Sequence, residues 1–145
     1  MPVPPTKQMI LADTSAWVEF DRATGSAADS RLTQLIADEG PLAVTEMVVM
    51  EVVAGARTDQ RELELRALLR RFHLLRFDST SDFDAAASIY RRCRAVGVTP
   101  RGMVDCMIAA VAWRRGAAIL SLDADLLRMA DIIGIDLDTA SRNDQ

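Results

Sequence analysis

Short apolar runs alternate with amphipathic segments along the whole chain. The apolar runs at 9–12, 42–45, 72–77 and 117–121 have the length of buried strands, and a further edge strand is expected at 135–137. The segments between them carry apolar residues at helical spacing. They predict helices that start at Asp13 or Thr14 and at Ala124, and helices over 26–39, 46–55, 59–71, 81–96 and 103–115.

Strands that alternate with helices predict an α/β protein with a mostly parallel central sheet wrapped on both faces. A chain of 145 residues is about one domain. We expect a disordered extension at 1–8, where three prolines fall, then a single domain over 9–138 and a flexible tail at 139–145. In such sheets the functional crevice lies beyond the carboxyl ends of the strands. Asp13 and Asp123 each directly follow a predicted strand.

Composition excludes several classes of protein. Half of the residues are apolar, but no run approaches the roughly 18 needed to cross a bilayer, and the first residues do not form a secretory signal. Cys93 and Cys106 fit neither a disulfide framework nor a CxxC motif, and we expect them to be packing residues. These features predict a cytoplasmic protein with no membrane partner.

The net charge of −4 hides an uneven distribution. Residues 57–101 contain ten arginines and six acidic residues, whereas the remainder of the chain is acidic. Arginine forks bind phosphate in a bidentate manner, so a subset of these residues is expected to contact nucleic acid. The alternative is that they line solvated helix faces.

Several catalytic mechanisms lack the residues that they need. The one histidine, His73, lies in a predicted strand, and the chain has no GxSxG, GxxxxGK or GxGxxG motif. A phospho-accepting receiver domain needs a lysine near its acids, and the only lysine, Lys7, lies in the extension. Carboxylates are the remaining candidates.

Four carboxylates lie in apolar surroundings: Asp13, Glu51, Asp105 and Asp123. An isolated buried carboxylate is costly unless it is paired or bound to a metal. Asp13 alone would more often be a helix cap, but four such residues favour a shared divalent cation. Oxygen ligands without histidine or cysteine suit Mg²⁺, with Mn²⁺ as a substitute, rather than Zn²⁺. Such a site can activate water for phosphodiester hydrolysis.

At these residues the sequence resembles the PIN-domain ribonucleases, specifically the toxins of VapBC-type bacterial toxin–antitoxin pairs. The matching segments are 10–17 (ILADTSAW), 50–55 (MEVVAG), 101–110 (RGMVDCMIAA) and 119–125 (ILSLDAD). Each motif alone is weak. Their order along 9–138 makes the resemblance specific.

The resemblance implies an α/β/α sandwich and a metal site built from the four acids, with Asp13 and Asp105 as principal Mg²⁺ ligands. It also implies supporting roles for Thr14 and Ser121 and a further acid, Asp125, near the site. The chain departs from the family pattern at Leu126, which replaces an aromatic residue.

The implied activity is that of a metal-dependent endoribonuclease toxin that cleaves RNA and inhibits growth. The implied partners are the RNA substrate, a cognate antitoxin and a second copy of the chain, in a homodimer and a toxin–antitoxin hetero-oligomer. Arg101 is a candidate contact for RNA or antitoxin; it could equally pair with Asp105, one helical turn away, or be an ordinary surface arginine.

Two alternatives stay open. One is an RNA-processing or DNA-directed nuclease of the same fold. The other is a catalytically inactive PIN-like binding module, which the loss of one of the four acids would have indicated.

Overall fold

Four short parallel strands form the central sheet. The computed structural model describes residues 7–143, with side chains described as far as residue 141, so the first six residues of the predicted extension lie outside it. The strands are β1 (Ile10–Ala12), β2 (Leu42–Val44), β3 (His73–Leu74) and β4 (Ala118–Leu120), in the order β3-β2-β1-β4. Ile10 pairs with Leu42 on one side and with Ala118 on the other, and Ala43 pairs with His73.

Eight helices connect and cover the strands in this part of the chain. They are α1 (Thr14–Asp21), α2 (Ala27–Ala37), α3 (Glu46–Ala54), α4 (Asp59–Leu69), α5 (Asp82–Ala95), α6 (Met103–Arg115), α7 (Ala124–Ile133) and α8 (Thr139–Asn143). In one group of helices α5, α6 and α7 pack against one another, and in the other α1 contacts α2 and α3 while α2 contacts α8. The predicted α/β/α sandwich with a parallel sheet is confirmed.

The sheet lies in the middle of the core. Every residue of β1, β2 and β4 is buried, as expected for parallel strands with both faces covered. Polar residues at the strand ends start the following helices: the Asp13 side chain caps α1, and the Asp123 side chain caps α7. Thr45 stands at the start of α3, but its hydroxyl donates to Glu46 Oε1 at 3.3 Å and makes no capping hydrogen bond.

Two predicted strands are shorter in the structure. Within 72–77 only His73 and Leu74 form β3, because the chain leaves the sheet edge after Leu75 and the Phe77 N–H donates to the Glu46 carboxylate at 2.9 Å. The expected edge strand at 135–137 is reduced to a single parallel bridge between Ile119 and Leu137.

The segment expected to be a flexible tail contains α8. Ala140 and Ser141 are buried, and the Ser141 hydroxyl donates to Ile119 O at 3.1 Å and accepts from Ser121 N at 2.8 Å. These hydrogen bonds attach the segment to β4, so the prediction of a free tail was wrong for 139–141.

At the other end, Gln8 was placed in the predicted extension. Its side-chain amide donates to Gly116 O at 3.1 Å and to Asp136 at 2.9 Å. Between residues 7 and 143, no helix has the length and apolar character needed to span a membrane.

Candidate active site

Asp13 is a buried carboxylate at the carboxyl end of β1. Its side chain is 4% exposed, and its Oδ1 atom accepts hydrogen bonds from the Ser15 hydroxyl at 2.6 Å and from Ala16 N at 3.1 Å. The Ser121 hydroxyl donates to Oδ2 at 2.6 Å. Burial raises the pKa of Asp13 to about 6, with a further contribution from the charge of Asp123, although these hydrogen bonds oppose the shift. The folded chain therefore holds a carboxylate that is costly to ionise.

Two serines fix the orientation of Asp13. Ser121 lies directly after β4 and accepts a hydrogen bond from Asp123 N at 2.9 Å while it donates to Asp13. Ser15 accepts from Leu122 N at 2.9 Å while it donates to the other oxygen of Asp13. The ends of β1 and β4 are thus joined through the carboxylate itself. Ser121 was expected near the site from the sequence, whereas Ser15, which stands two residues after Asp13, was not.

Asp105 lies in the first turn of α6. Burial, and after it the negative charges of Asp123, Asp13, Glu51 and Asp125, together raise its pKa to about 6. The charges of Asp13, Glu51 and Asp123 thus act on Asp105, although the four residues are far apart in the sequence. Their assignment to one shared metal site stays a prediction.

Glu51 reaches this cluster from the middle of α3. The Thr14 hydroxyl, in the first turn of α1, donates to Glu51 Oε1 at 2.7 Å. Thr14 was named as a supporting residue, and the contact shows how it holds a glutamate 37 positions further along the chain. The hydrogen bond links α1 to α3 at the edge of the acid cluster.

Asp123 has a structural contact in addition to its place in the cluster. Its Oδ1 atom accepts from Asp125 N at 2.8 Å and from Leu126 N at 3.1 Å, and so caps α7. Its side chain is 31% exposed. Oδ2 accepts no hydrogen bond from the described residues, so one carboxylate oxygen is left for a ligand.

Asp125 differs from the other acids because arginines surround it. Arg101 donates to its Oδ2 atom from the backbone N at 3.0 Å and from Nε at 3.1 Å, and Arg128 donates to Oδ1 at 2.9 Å. The backbone N–H of Arg101 is the main cause of a lowered pKa of Asp125, and the two guanidinium groups add to it. Pairing with Asp105, one of the alternatives that the sequence left open for Arg101, is not what the structure has: Arg101 bonds Asp125, and its Nη2 atom lies 3.6 Å from Asp123 Oδ1.

The donor set fits a hard divalent cation. Among residues 7–143, no three Asp, Glu, His or Cys side chains are already arranged to hold an ion. However, Mg²⁺ keeps several of its waters and needs only one or two carboxylates from the protein. Two carboxyl groups with a pKa near 6, in a cluster of only oxygen donors, would gain from a cation that offsets their repulsion.

The other reactive side chains lie elsewhere. His73 lies in β3, within the strand that the sequence predicted, and it is exposed. Cys93 and Cys106 are buried and free, and burial raises the pKa of both thiols, which keeps them uncharged. A cavity of about 710 Å³ between α3 and α4 is lined mainly by aliphatic side chains such as Val49 and Val53, so it offers little chemistry.

The basic stretch 57–101 is mixed in character. Arg61 forms ion pairs with Asp21 and Glu64, and Arg66 forms one with Glu62. These two arginines therefore neutralise acidic side chains at the surface of α4. Arg101 is the member of the stretch whose guanidinium lies beside the acid cluster. Contact of any of these arginines with nucleic acid stays a prediction.

Comparison with known proteins gives a consistent family. Residues 10–132 match the model of the PIN domain. The chain is 44% identical over 128 residues to VapC ribonuclease Mb1587 of Mycobacterium bovis, covering 88% of this chain and 96% of that protein. Ribonuclease VapC11 of Mycobacterium tuberculosis matches with the same identity and coverage.

Solved structures with a similar fold include a VapBC complex. The crystal structure of DNA-bound VapBC from Salmonella typhimurium contains a chain that superimposes with a TM-score of 0.71 at 20% identity. The match covers 91% of this chain and 98% of that one. At this level of identity the likeness supports the fold only.

Proposed function

The chain belongs to the VapC family of PIN-domain ribonucleases, and we propose that it cleaves RNA with a divalent cation held by Asp13, Glu51, Asp105 and Asp123. Mg²⁺ is the proposed physiological ion, and Mn²⁺ is expected to replace it. When bound, such an ion supplies Lewis-acid activation of water and stabilisation of the negative charge that develops on the phosphate. Asp13 and Asp105 are the proposed principal ligands.

One observation carries the proposal. Asp13 and Asp105 come from different elements, and both have a pKa of about 6 because burial and neighbouring acids disfavour their charged forms. Carboxylates that repel one another destabilise the folded chain, and among the described residues Arg101 is the one basic side chain paired with any of the four, so a cation bound there would be strongly stabilising.

The chain's own residues then act mainly by orientation. Ser15 and Ser121 hold both oxygens of Asp13, and Thr14 holds one oxygen of Glu51, so neither carboxylate must be ordered when the substrate binds. Side chains fixed in advance lower the entropic cost of reaching the reactive geometry.

We further propose the biological setting of a toxin. The VapC relatives are named as ribonucleases, and the matched fold comes from a VapBC complex. On that basis this chain is the toxin of a toxin–antitoxin pair: it forms a homodimer, binds a cognate antitoxin as a hetero-oligomer, and inhibits growth by cutting RNA in the cytoplasm when the antitoxin is lost.

The test compares cleavage with metal binding. Purified protein is expected to cut RNA with Mg²⁺ or Mn²⁺ and to stop in excess EDTA. Asp13→Asn and Asp105→Asn should lose most activity and weaken Mn²⁺ binding, read from the electron paramagnetic resonance signal of free Mn²⁺. Asp131→Asn, at an exposed position of α7, is the matched control. Cleavage that persists in EDTA, or full activity in both site variants, would refute the proposal.

A further inference from the structure

Asp125 is an acid near the site whose two carboxylate oxygens are already occupied by hydrogen bonds. Its side chain is 6% exposed, and its two oxygens accept three hydrogen bonds from Arg101 and Arg128. The two guanidinium groups already compensate the negative charge of this carboxylate and occupy both of its oxygens, which disfavours a cation there. Asp125 is therefore poorly suited to be a metal ligand, although it lies two residues after Asp123.

Arg101 is held in a way that leaves its outer face free. Its backbone N and its Nε atom both bond to Asp125, whereas its side chain is 76% exposed. Its Nη2 atom lies 3.6 Å from Asp123 Oδ1. The result is a positive charge fixed at the rim of a cluster of negative charges, with guanidinium N–H groups directed to solvent.

RNA needs such a charge at this position. The phosphate next to the scissile bond must approach four acids that repel it, and phosphate contacts from arginine supply much of the affinity for nucleic acid. A guanidinium fork suits phosphate, and holding it at Nε reduces the entropy lost on binding.

We propose that Arg101 contacts an RNA phosphate adjacent to the cleaved bond and that Asp125 is the positioning residue that holds Arg101 there. The inference rests on the proposed ribonuclease function and assigns Asp125 a task separate from the metal. Of the two polymers that could meet Arg101, RNA and antitoxin, the geometry favours RNA because the guanidinium lies beside the acids proposed to cut it.

The first experiment measures RNA binding of Arg101→Gln in Ca²⁺, which is expected to allow binding with little cleavage. We expect about tenfold weaker affinity, the effect of losing one charge-assisted hydrogen bond. The log–log dependence of single-strand affinity on salt should flatten by about 0.7. Arg115→Gln removes an exposed arginine at the end of α6, outside 57–101, and serves as the matched control. In cleavage assays Arg101→Gln should raise KM much more than it lowers kcat.

The second experiment separates positioning from metal binding. Asp125→Asn should lose RNA affinity to a similar extent, and the double variant with Arg101→Gln should be little worse than either single variant. The Mn²⁺ affinity of Asp125→Asn should stay near that of wild type. Arg101→Lys, which keeps the charge but has no Nε to bond Asp125, should restore the salt dependence and only part of the affinity. This variant also tests the idea if Asp125→Asn fails to fold.

Three results would overturn the inference: wild-type RNA affinity in Arg101→Gln, full restoration of affinity by lysine, or loss of Mn²⁺ binding in Asp125→Asn. If Arg101→Gln weakened only the binding of the antitoxin, the protein partner would replace RNA as the contact. Failure of the ribonuclease proposal itself looks different, because the wild-type protein would then not cut RNA with any metal.

Discussion

Replacing Asp105 with asparagine should stabilise the metal-free protein at neutral pH. The pKa of Asp105 is about 6 in the folded chain against 3.8 for an unperturbed aspartate, because of burial and the charges of Asp123, Asp13 and Glu51. The asparagine keeps the shape of the side chain and removes its charge. The described residues donate no hydrogen bond to this carboxylate, so the substitution breaks none.

The size of the effect follows from linkage between proton binding and folding. A tenfold difference in proton affinity corresponds to about 1.4 kcal/mol, so ionised Asp105 costs the folded state at most about 3 kcal/mol. Asp105 is half-buried, and solvent screens part of this cost. We therefore expect Asp105→Asn to gain about 1–2 kcal/mol, or roughly 3–6 °C in Tm.

The upward direction of the pKa shift of Asp105 also sets the pH range over which stability changes. The folded state binds this proton more tightly than the unfolded state does, so wild-type stability falls as the pH rises from about 4 to about 6 and stays lower above that. The advantage of the variant should be full at pH 7.5 and absent near pH 4. Asp13, whose pKa is also raised to about 6, steepens the wild-type curve in the same direction.

The assay is urea unfolding in EDTA between pH 4 and 8, for wild type, Asp105→Asn and the control Asp131→Asn. Adding Mg²⁺ should stabilise the wild type and leave Asp105→Asn nearly unchanged, which reverses their order. An asparagine variant that is no more stable than wild type at pH 7.5, or a gap that does not change with pH, would refute the reasoning.

Three further predictions concern stability and are checked by urea unfolding. Trp17 is 2% exposed, and its Nε1 atom has no hydrogen-bond partner among the described residues. Trp17→Phe should therefore change stability by less than about 1 kcal/mol, whereas Trp17→Ala should cost about 3–5 kcal/mol. Equal losses of stability in the two variants would contradict this. Arg114→Gln leaves the Asp82 carboxylate, which is 1% exposed, without its counter-ion and should cost about 3 kcal/mol of stability. A loss of less than about 1 kcal/mol would show that the ion pair is dispensable. Ser141→Ala leaves the buried Ser121 N–H without its acceptor and should cost about 1–2 kcal/mol, whereas Ser141→Thr, if it keeps the bond, should cost less.

Local pattern was sufficient for the architecture and for the four acids. β1, β2 and β4 are continuous apolar runs, and a carboxylate in apolar surroundings stands out in any sequence. That Asp13 and Asp123 lie together follows from the topology, since the β1 and β4 ends are neighbours in the sheet. Their catalytic and metal-binding roles stay predictions.

Contacts between distant segments could not be predicted in this way. Ser15 is an ordinary first-turn serine until β4 places Leu122 N beside it, and Ser141 is a tail residue until α8 docks on β4. The partner of Arg101 stayed open for a similar reason: helical spacing offered Asp105 as one possibility, but Arg101 bonds Asp125 in α7. Sequence patterns predict contacts between residues that are close along the chain, whereas these hydrogen bonds join residues that are close only in the folded structure.

The attachment of the C-terminal segment to β4 also bears on self-association. A sheet ends in two edges whose free N–H and C=O groups can template pairing with another chain. Here one edge is the two-residue β3, and the other is covered where Ile119 exchanges hydrogen bonds with Asp136 and Asp138 and where Ser141 bonds to Ile119 O. Truncation after Gly134 would remove all of these bonds, uncover an apolar edge made of Ala118, Ile119 and Leu120 beside the acid cluster, and favour strand-to-strand aggregation. Affinity tags and reporter fusions are therefore better placed ahead of β1 than directly after α8.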